Sequence, residues 1–456
     1  MAFGPSLTEL YLHRIRTGGF TAAELLPPTR VPPVIESFYR HRCLARPLFL
    51  DHDEHSRLVG DLAGVHEALV RLPDLLFGGD LAAFARAVDL SEEQTDLVVR
   101  TQAGRPVTRY GRADLYADET GPKLLEYNIG STVGLVEAGL LNEALLEHPV
   151  LASFAAEHGL GFPDTVGECL ASLRLEVGLP PDSTPTVAMV FWPDDFPDNE
   201  EPLRRCAQLH RRYGVDTIPT HLGLLTYRDG RVWADGRPVD VIYRCFLLQD
   251  AATPAGRALV EPLLTAAERG EVRMFTPLGC QVYSSKAALA LLSQHAGLFE
   301  PELRDRVRRF VPWTRVCRPG EVELDSGDRA DLREHAIGQR EELTLKPAFR
   351  HGGSGVLPGW ETPPDEWAAR VDEALAGGWV LQRRVHPQPQ LVPAPDGTLT
   401  PYTLNLGVFS MPAAPAGYGG TALRAAPVAR NVAVLGIYTD PSVLLGCAMH
   451  QLAPAQ

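Results

Sequence analysis

The spacing of apolar residues changes twice along this chain, and those changes restrict the folds open to it more than any other property. Up to about residue 105 the spacing is helical, and Ser6 with Glu9 and Ser91 with Gln94 form capping-box patterns, each before an amphipathic run. From 108 to 128 the period falls to that of a strand: TRYGRADLYAD and KLLEYNIG read as two strands joined around the turn-like DETGP. A helix is expected over 134–147. From 185 to 283 strand and helix alternate. TVAMVFW, VDTIPT and VDVIYRCF read as strands, EPLRRCAQLHRRYG as a helix, and Asp229-Gly230 marks a hairpin between the last two strands. Alternation of this kind predicts a small α/β unit on a mainly parallel sheet. Beyond 284 the pattern is α+β: a helix at 284–296, the strand ELTLKPAF, a glycine-rich loop, a helix at 364–376, then the strands WVLQRRV and PYTLNLGVFS. The Pro- and Gly-rich stretches 387–395 and 411–420 read as connections. The expected division is a helical region at 1–105, a two-stranded unit with its helices at 106–184, the small α/β unit at 185–283, and a final α+β part at 284–456.

A length of 456 residues corresponds to about three domains. The formal charge of −14 argues against a nucleic-acid surface, since phosphate backbones are bound by basic stripes, so the expected partners are small molecules. Seven cysteines, Cys43, Cys169, Cys206, Cys245, Cys280, Cys317 and Cys447, stand singly with no CxxC pair, which fits reduced thiols in a cytoplasm. MAFGPSLTEL lacks a basic region followed by an apolar run, and no stretch reaches about 18 uninterrupted apolar residues, so neither export nor membrane association is expected. A homo-oligomer is left open.

Of 43 basic residues only Lys123, Lys286 and Lys346 are lysines, and each lies beside a candidate motif. Lysine carries a compact charge on a slim stem that enters crowded phosphate sites where the wide arginine fork does not fit. Arg112-x-Asp114 on one strand and Glu126-x-Asn128 on the next place two carboxylates, an amide and a guanidinium on one face if the strands pair. Hard oxygens of this kind suit Mg²⁺ completed by phosphates, with Arg112 against a transferring phosphoryl group; an ordinary ion pair on a solvated hairpin would look the same. Lys346 ends a strand before Gly352, Gly353, Ser354 and Gly355, a loop whose N–H groups can close over a triphosphate or form a simple turn. Lys286 opens a helix capped by Ser284 or Ser285, where a cation opposes the helix dipole unless an anion binds at the same end. Gln382 can meet an adenine edge or sit in a plain core strand. Arg244, at a strand end in the α/β unit, can grip a substrate carboxylate or pair with a surface acid. His351 and His386 are loop histidines. Asn405, Arg424, Arg430 and Asn431 lie on late strands and cannot be ranked from sequence.

R-A-D-L-Y at 112–116, L-L-E-Y-N at 124–128, S-S-K-A-A-L-A-L-L at 284–292 and L-K-P-A-F-R-H-G-G-S-G at 345–355 together resemble the circularly permuted ATP-grasp family, in the pattern of the synthetase domain of glutathionylspermidine synthetase. The resemblance implies an ATP-grasp fold with a small Rossmann-like subdomain and its metal motif ahead of its nucleotide lysines. It further implies an ADP-forming carboxylate-amine ligase that uses ATP and one or two Mg²⁺ ions and acts on a small-molecule carboxylate and an amine. In that pattern Asp114, Glu126 and Asn128 hold metal, and Arg112 stabilises the phosphoryl group and the acyl-phosphate. Lys286 and Lys346 bind phosphates, Gly352 to Gly355 form the lid, and Gln382 borders adenine. Ile-Gly-Ser-Thr after Asn128 departs from the pattern, and no amidase domain is evident. A small-molecule kinase and a noncatalytic nucleotide-binding protein are the alternatives.

Overall fold

The computed structural model describes residues 6–350, 352–394, 396–430 and 434–453. Its largest sheet is assembled from distant parts of the chain. In spatial order the strands are Leu48–Leu50, Leu444–Gln451, Tyr418–Pro427, Leu399–Ser410, Gly111–Asp118 and Gly121–Ile129. All neighbours along this path are antiparallel except Leu48–Leu50, which runs parallel to Leu444–Gln451. Successive side chains of a strand face opposite sides, so this sheet separates two apolar cores. Leu115, Leu406, Val408 and Leu423 pack with Leu58, Leu62, Val65 and Leu69 of the helix His52–Phe77. The alternate positions Phe409, Ala422 and Leu445 pack with Tyr11 and Leu12 of the helix Leu7–Gly18 and with Leu141.

The expected parallel sheet forms in the order Arg273–Phe275, Val241–Arg244, Thr186–Phe191, Asp216–His221, with the helices Phe196–His210 and Pro254–Glu268 as crossovers. Asp229 and Gly230 both take positive φ (54° and 67°) in the tight turn between Thr226–Arg228 and Arg231–Ala234. A third sheet, Thr314–Val316, Trp379–Arg383, Leu343–Pro347 and Leu357–Pro358, is antiparallel. Both expected capping boxes are made: Ser6 with Glu9, and Ser91 with Gln94.

Three expectations need correction. The first 105 residues are not wholly helical, because Leu48–Leu50 completes an edge of the main sheet; three residues are too few to show a period of two. Within 387–395, Gln390–Pro393 pairs with Leu399–Ser410 as an outer strand, a position where proline's missing donor costs nothing. Within 411–420, the next strand already begins at Tyr418.

Candidate functional site

The hairpin around DETGP forms, and its register decides which side chains meet. Arg112 lies opposite Asn128 and Asp114 opposite Glu126, and directly opposed residues on antiparallel strands share a face. On the other side Gly407 lies opposite Asp114, and one step along that strand's face Asn405 lies opposite Arg424. Asp114, only 2% exposed, accepts from Arg112 Nε at 2.7 Å and Nη2 at 3.1 Å, and pairs with Arg424 Nη2 at 2.8 Å. Arg424 also donates to Asn405 Oδ1 at 2.5 Å. Gly407 makes this possible, since a Cβ there would stand 2.9 Å from Arg112 Cδ. Burial works against the charge of Arg112, yet Asp114 and then Glu126 outweigh it and hold the guanidinium above its ordinary value.

Glu126 pairs with Lys286 Nζ at 3.0 Å and accepts from Asn128 Nδ2 at 3.3 Å. Lys286 is the first residue of the helix Lys286–Gln294, whose cap is Ser285, accepting from Ala287 N at 3.2 Å. Its backbone N–H donates to Ala348 O at 2.8 Å and its ammonium to Arg350 O at 2.6 Å, which ties the helix start to the chain just after Lys346. A cation at the positive end of a helix is unfavourable, and Glu126 offsets that cost. Lys346 extends from Leu343–Pro347, donating to Gln382 Oε1 and to Leu125 O at 3.4 Å. Gln382 in turn donates to Thr314 Oγ1 at 3.1 Å, so its amide orientation is fixed. The Lys346 ammonium is pushed down to about 8, first by burial and further by Lys286, against the opposing pull of Glu126.

These side chains line a cleft of about 320 Å³ that includes Asp114, Glu126, Lys286, Lys346 and Gln382. Gly352 and Gly353 close part of it; Ser354 and Gly355 do not reach it. Positive φ at Gly352, Gly353 and Gly355 (67°, 73° and 77°) is the physical reason this loop is written in glycine. A second cavity, of about 710 Å³, shares Glu126, Gly352 and Arg424 with the first and adds Arg112 and Asn128. The two therefore meet at the hairpin. Four cations, Arg112, Arg424, Lys286 and Lys346, face two carboxylates at this junction, an excess of positive charge that suits a polyphosphate. The carboxylates and the Asn128 amide are hard oxygen donors of the kind Mg²⁺ accepts. Among the described residues no group of three or more His, Cys, Asp or Glu is placed to hold a metal ion unaided. The donor set thus fits Mg²⁺ arriving with phosphate oxygens.

Arg244 is not brought to either cavity. It is fully buried, and its guanidinium donates to Thr276 O at 3.0 Å, Phe246 O at 2.7 Å and Thr276 Oγ1 at 3.2 Å. With these donors used inside the protein, the expected grip on a substrate carboxylate is not available to it. Its backbone carbonyl accepts from Ser131 Oγ at 2.8 Å, and Gly130, at φ 118°, leaves room for Arg244 Nη2 where a Cβ would stand 3.1 Å away. The Ile-Gly-Ser-Thr segment is therefore the joint between hairpin and parallel sheet. Lys123 donates to Arg309 O at 2.6 Å and lines no part of the cleft. His386 does line it, paired with Glu342 at 2.9 Å, whereas exposed Arg430 lines neither cavity. His351 and Asn431 lie outside the described residues. Asn405 and Arg424 stand among the late-strand candidates that sequence could not rank, and Gly407 carries no signal at all: strand parity puts each on a definite face, but only the pairing of distant strands shows which face meets Asp114.

No protein-family model and no curated protein sequence matches this chain. Among solved structures, a glutathione synthetase-like effector (GSS30) from Globodera pallida, in apo form, aligns with a TM-score of 0.52 at 11% identity over 90% of each chain. A putative gamma-glutamylcysteine synthetase from Methylobacillus flagellatus KT aligns at 0.42 and 11% identity, over 80% of this chain and 86% of that one. D-alanyl-alanine synthetase A from Vibrio cholerae O1 biovar eltor aligns at 0.30 and 13% identity, over 57% and 74%. At such identity the likeness to GSS30 concerns the fold alone: a mixed α/β, multi-sheet architecture of the ATP-grasp type.

Proposed function

We propose that this protein is an ATP-dependent carboxylate-amine ligase, ADP-forming and passing through an acyl-phosphate. The observation that carries this reading is the meeting of two cavities at one charged hairpin. Lys286, Lys346 and Gln382 line the smaller cavity, Arg112 and Asn128 the larger, and Glu126 and Arg424 both. Two chambers with cations at their boundary suit a reaction that moves a phosphoryl group from a nucleotide to an acid, since such transfer rests on positioning and charge neutralisation. Fold likeness to a glutathione synthetase-like protein supports the same class. The order along the chain, metal motif at 112–128 before lysines at 286 and 346, supports a circularly permuted arrangement as in glutathionylspermidine synthetase.

In this reading Mg-ATP supplies the phosphoryl group, and the chain's own residues position and neutralise. Lys286 and Lys346 hold phosphate oxygens, with Gln382 keeping the Lys346 ammonium in place. Asp114, Glu126 and Asn128 offer oxygens to Mg²⁺, while Arg112 and Arg424, both anchored on Asp114, present cations where charge develops on the transferring group. Gly352, which lines both cavities, and Gly353, which lines the smaller, help exclude water from an activated acid. The acid's carboxylate takes the phosphoryl group and ADP departs; the amine then attacks the carbonyl and phosphate departs, leaving an amide. Substituting Asp114→Asn or Glu126→Gln is expected to cut ADP formation at least about a hundredfold. Turnover near the parent level in both variants would remove the metal assignment and with it this reading.

A further inference from the structure

The larger cavity runs from the hairpin to the face of the parallel sheet and the helix Phe196–His210, and Met189, Phe191, Leu203 and Cys245 give it an apolar patch there beside the polar Asn199 and Tyr243. Its charged groups are distributed unevenly. Arg112 and Arg424 stand at the hairpin end, where the phosphoryl group would be transferred. Beyond that end the lining carries Asp198, while Glu137 lies within electrostatic reach of Arg112, and among the described residues it adds no further Lys or Arg. His210 adds no charge, because burial pushes its imidazole down to about 4 and Thr217 Oγ1 holds its Nδ1 at 2.9 Å. Glu137 is buried and hydrogen-bonded by the Tyr39 hydroxyl, and burial raises its carboxyl above the usual range.

Resting on the ligase reading above, we infer that the acid substrate is a monocarboxylate with an apolar body, its one carboxylate at Arg112 and Arg424 and its body against Met189, Phe191 and Leu203. A second carboxylate would enter a wall with no cation to receive it and Asp198 to repel it, so dicarboxylates and acidic peptides are disfavoured. Contact of an aryl or alkyl body with this wall favours binding in proportion to the area removed from water.

The test is calorimetric titration of 4-phenylbutanoate and of glutarate into protein saturated with Mg²⁺ and a non-hydrolysable ATP analogue. 4-Phenylbutanoate is expected to bind at least about tenfold more tightly than glutarate. Leu203→Arg is expected to narrow or reverse that preference, and Asn199→Arg, at the half-buried rim, to do so without burdening the core. Equal or tighter binding of glutarate by the parent protein would overturn the inference. Binding of the nucleotide analogue with neither acid would overturn it too, leaving the nucleotide site intact. Failure of the analogue itself to bind would remove the ligase reading and the inference together.

Discussion

Lys346 shows how a single residue's surroundings set its chemistry. Burial pushes its ammonium from 10.5 down to about 8, so between those values the unfolded chain holds a proton that the folded chain does not. Folding stability from this group therefore rises with pH across that window. A bound triphosphate has the opposite effect, restoring the charge. At pH 9, Mg-ATP binding is expected to take up a fraction of a proton, read as an enthalpy that varies with the ionisation enthalpy of the buffer. Lys346→Met should abolish the uptake; a buffer-independent enthalpy for the parent protein would show that this ammonium does not meet phosphate. Lys286, equally marked in the sequence, is held by Glu126 and by Arg350 O, whereas Lys123 merely closes a contact with Arg309 O.

At the scale of elements, pairing decides what a strand's parity means. Counting by twos along KLLEYN puts Lys123 on the face opposite Glu126, but the register shifts after Asp114, so that Leu115 faces Leu124 and Tyr116 faces Lys123. One irregularity reassigns a face, and no local sequence signal marks it. The neighbouring strand adds a residue with no chemistry of its own: Gly407 gives Arg112 its space. Gly407→Ala is expected to displace the guanidinium and lower kcat by about tenfold or more while the melting curve moves little; unchanged kinetics would mean that Arg112 is not positioned by this gap. On the helix His52–Phe77, His55 stacks on His450 of the strand Leu444–Gln451 at 3.9 Å between centroids, with Tyr418 edge-on to both. Burial lowers both imidazoles, His450 to about 4 and His55 below its ordinary 6.5, helped by charge on His55 acting on His450 and charge on His52 acting on His55. The folded state thus binds fewer protons than the unfolded one, and stability should fall as pH drops from about 6.5 towards 4. Urea unfolding of His450→Phe beside the parent protein tests this: an equal pH slope in both would clear the histidine pair of any part in it.

For the whole molecule, the decisive contacts are those that hold separate sheets in one orientation. Arg244 leaves the parallel sheet, satisfies two carbonyls of the 246–276 region, and through its own carbonyl receives Ser131 just beyond the hairpin. Replacing it with Met would strand buried carbonyls, at about 2–4 kcal/mol. The expected result is a loss of that size in urea unfolding with the KM for ATP nearly unchanged; unaltered stability would return Arg244 to the list of candidate ligand-binding residues. Ser284 Oγ, accepting from Ile129 N at 2.8 Å, and Lys286 N, donating to Ala348 O, join the same hairpin to the third sheet. Three sheets thus hold the junction between the two cavities.

Local features could be read from the residues alone, among them the period change at 108, the capping boxes at Ser6 and Ser91, the Asp229-Gly230 turn, and the Arg-x-Asp and Glu-x-Asn pairs, because helical and strand spacing, caps and tight turns are short-range properties of adjacent residues. It took the folded chain to show that Arg424 and Asn405, 310 and 291 residues after Asp114, complete its surroundings, that Arg244 turns inward, and that Leu48–Leu50 belongs to a sheet. Strand order and register arise from which apolar faces bury together across the whole chain, and that competition leaves no trace in any single window of sequence.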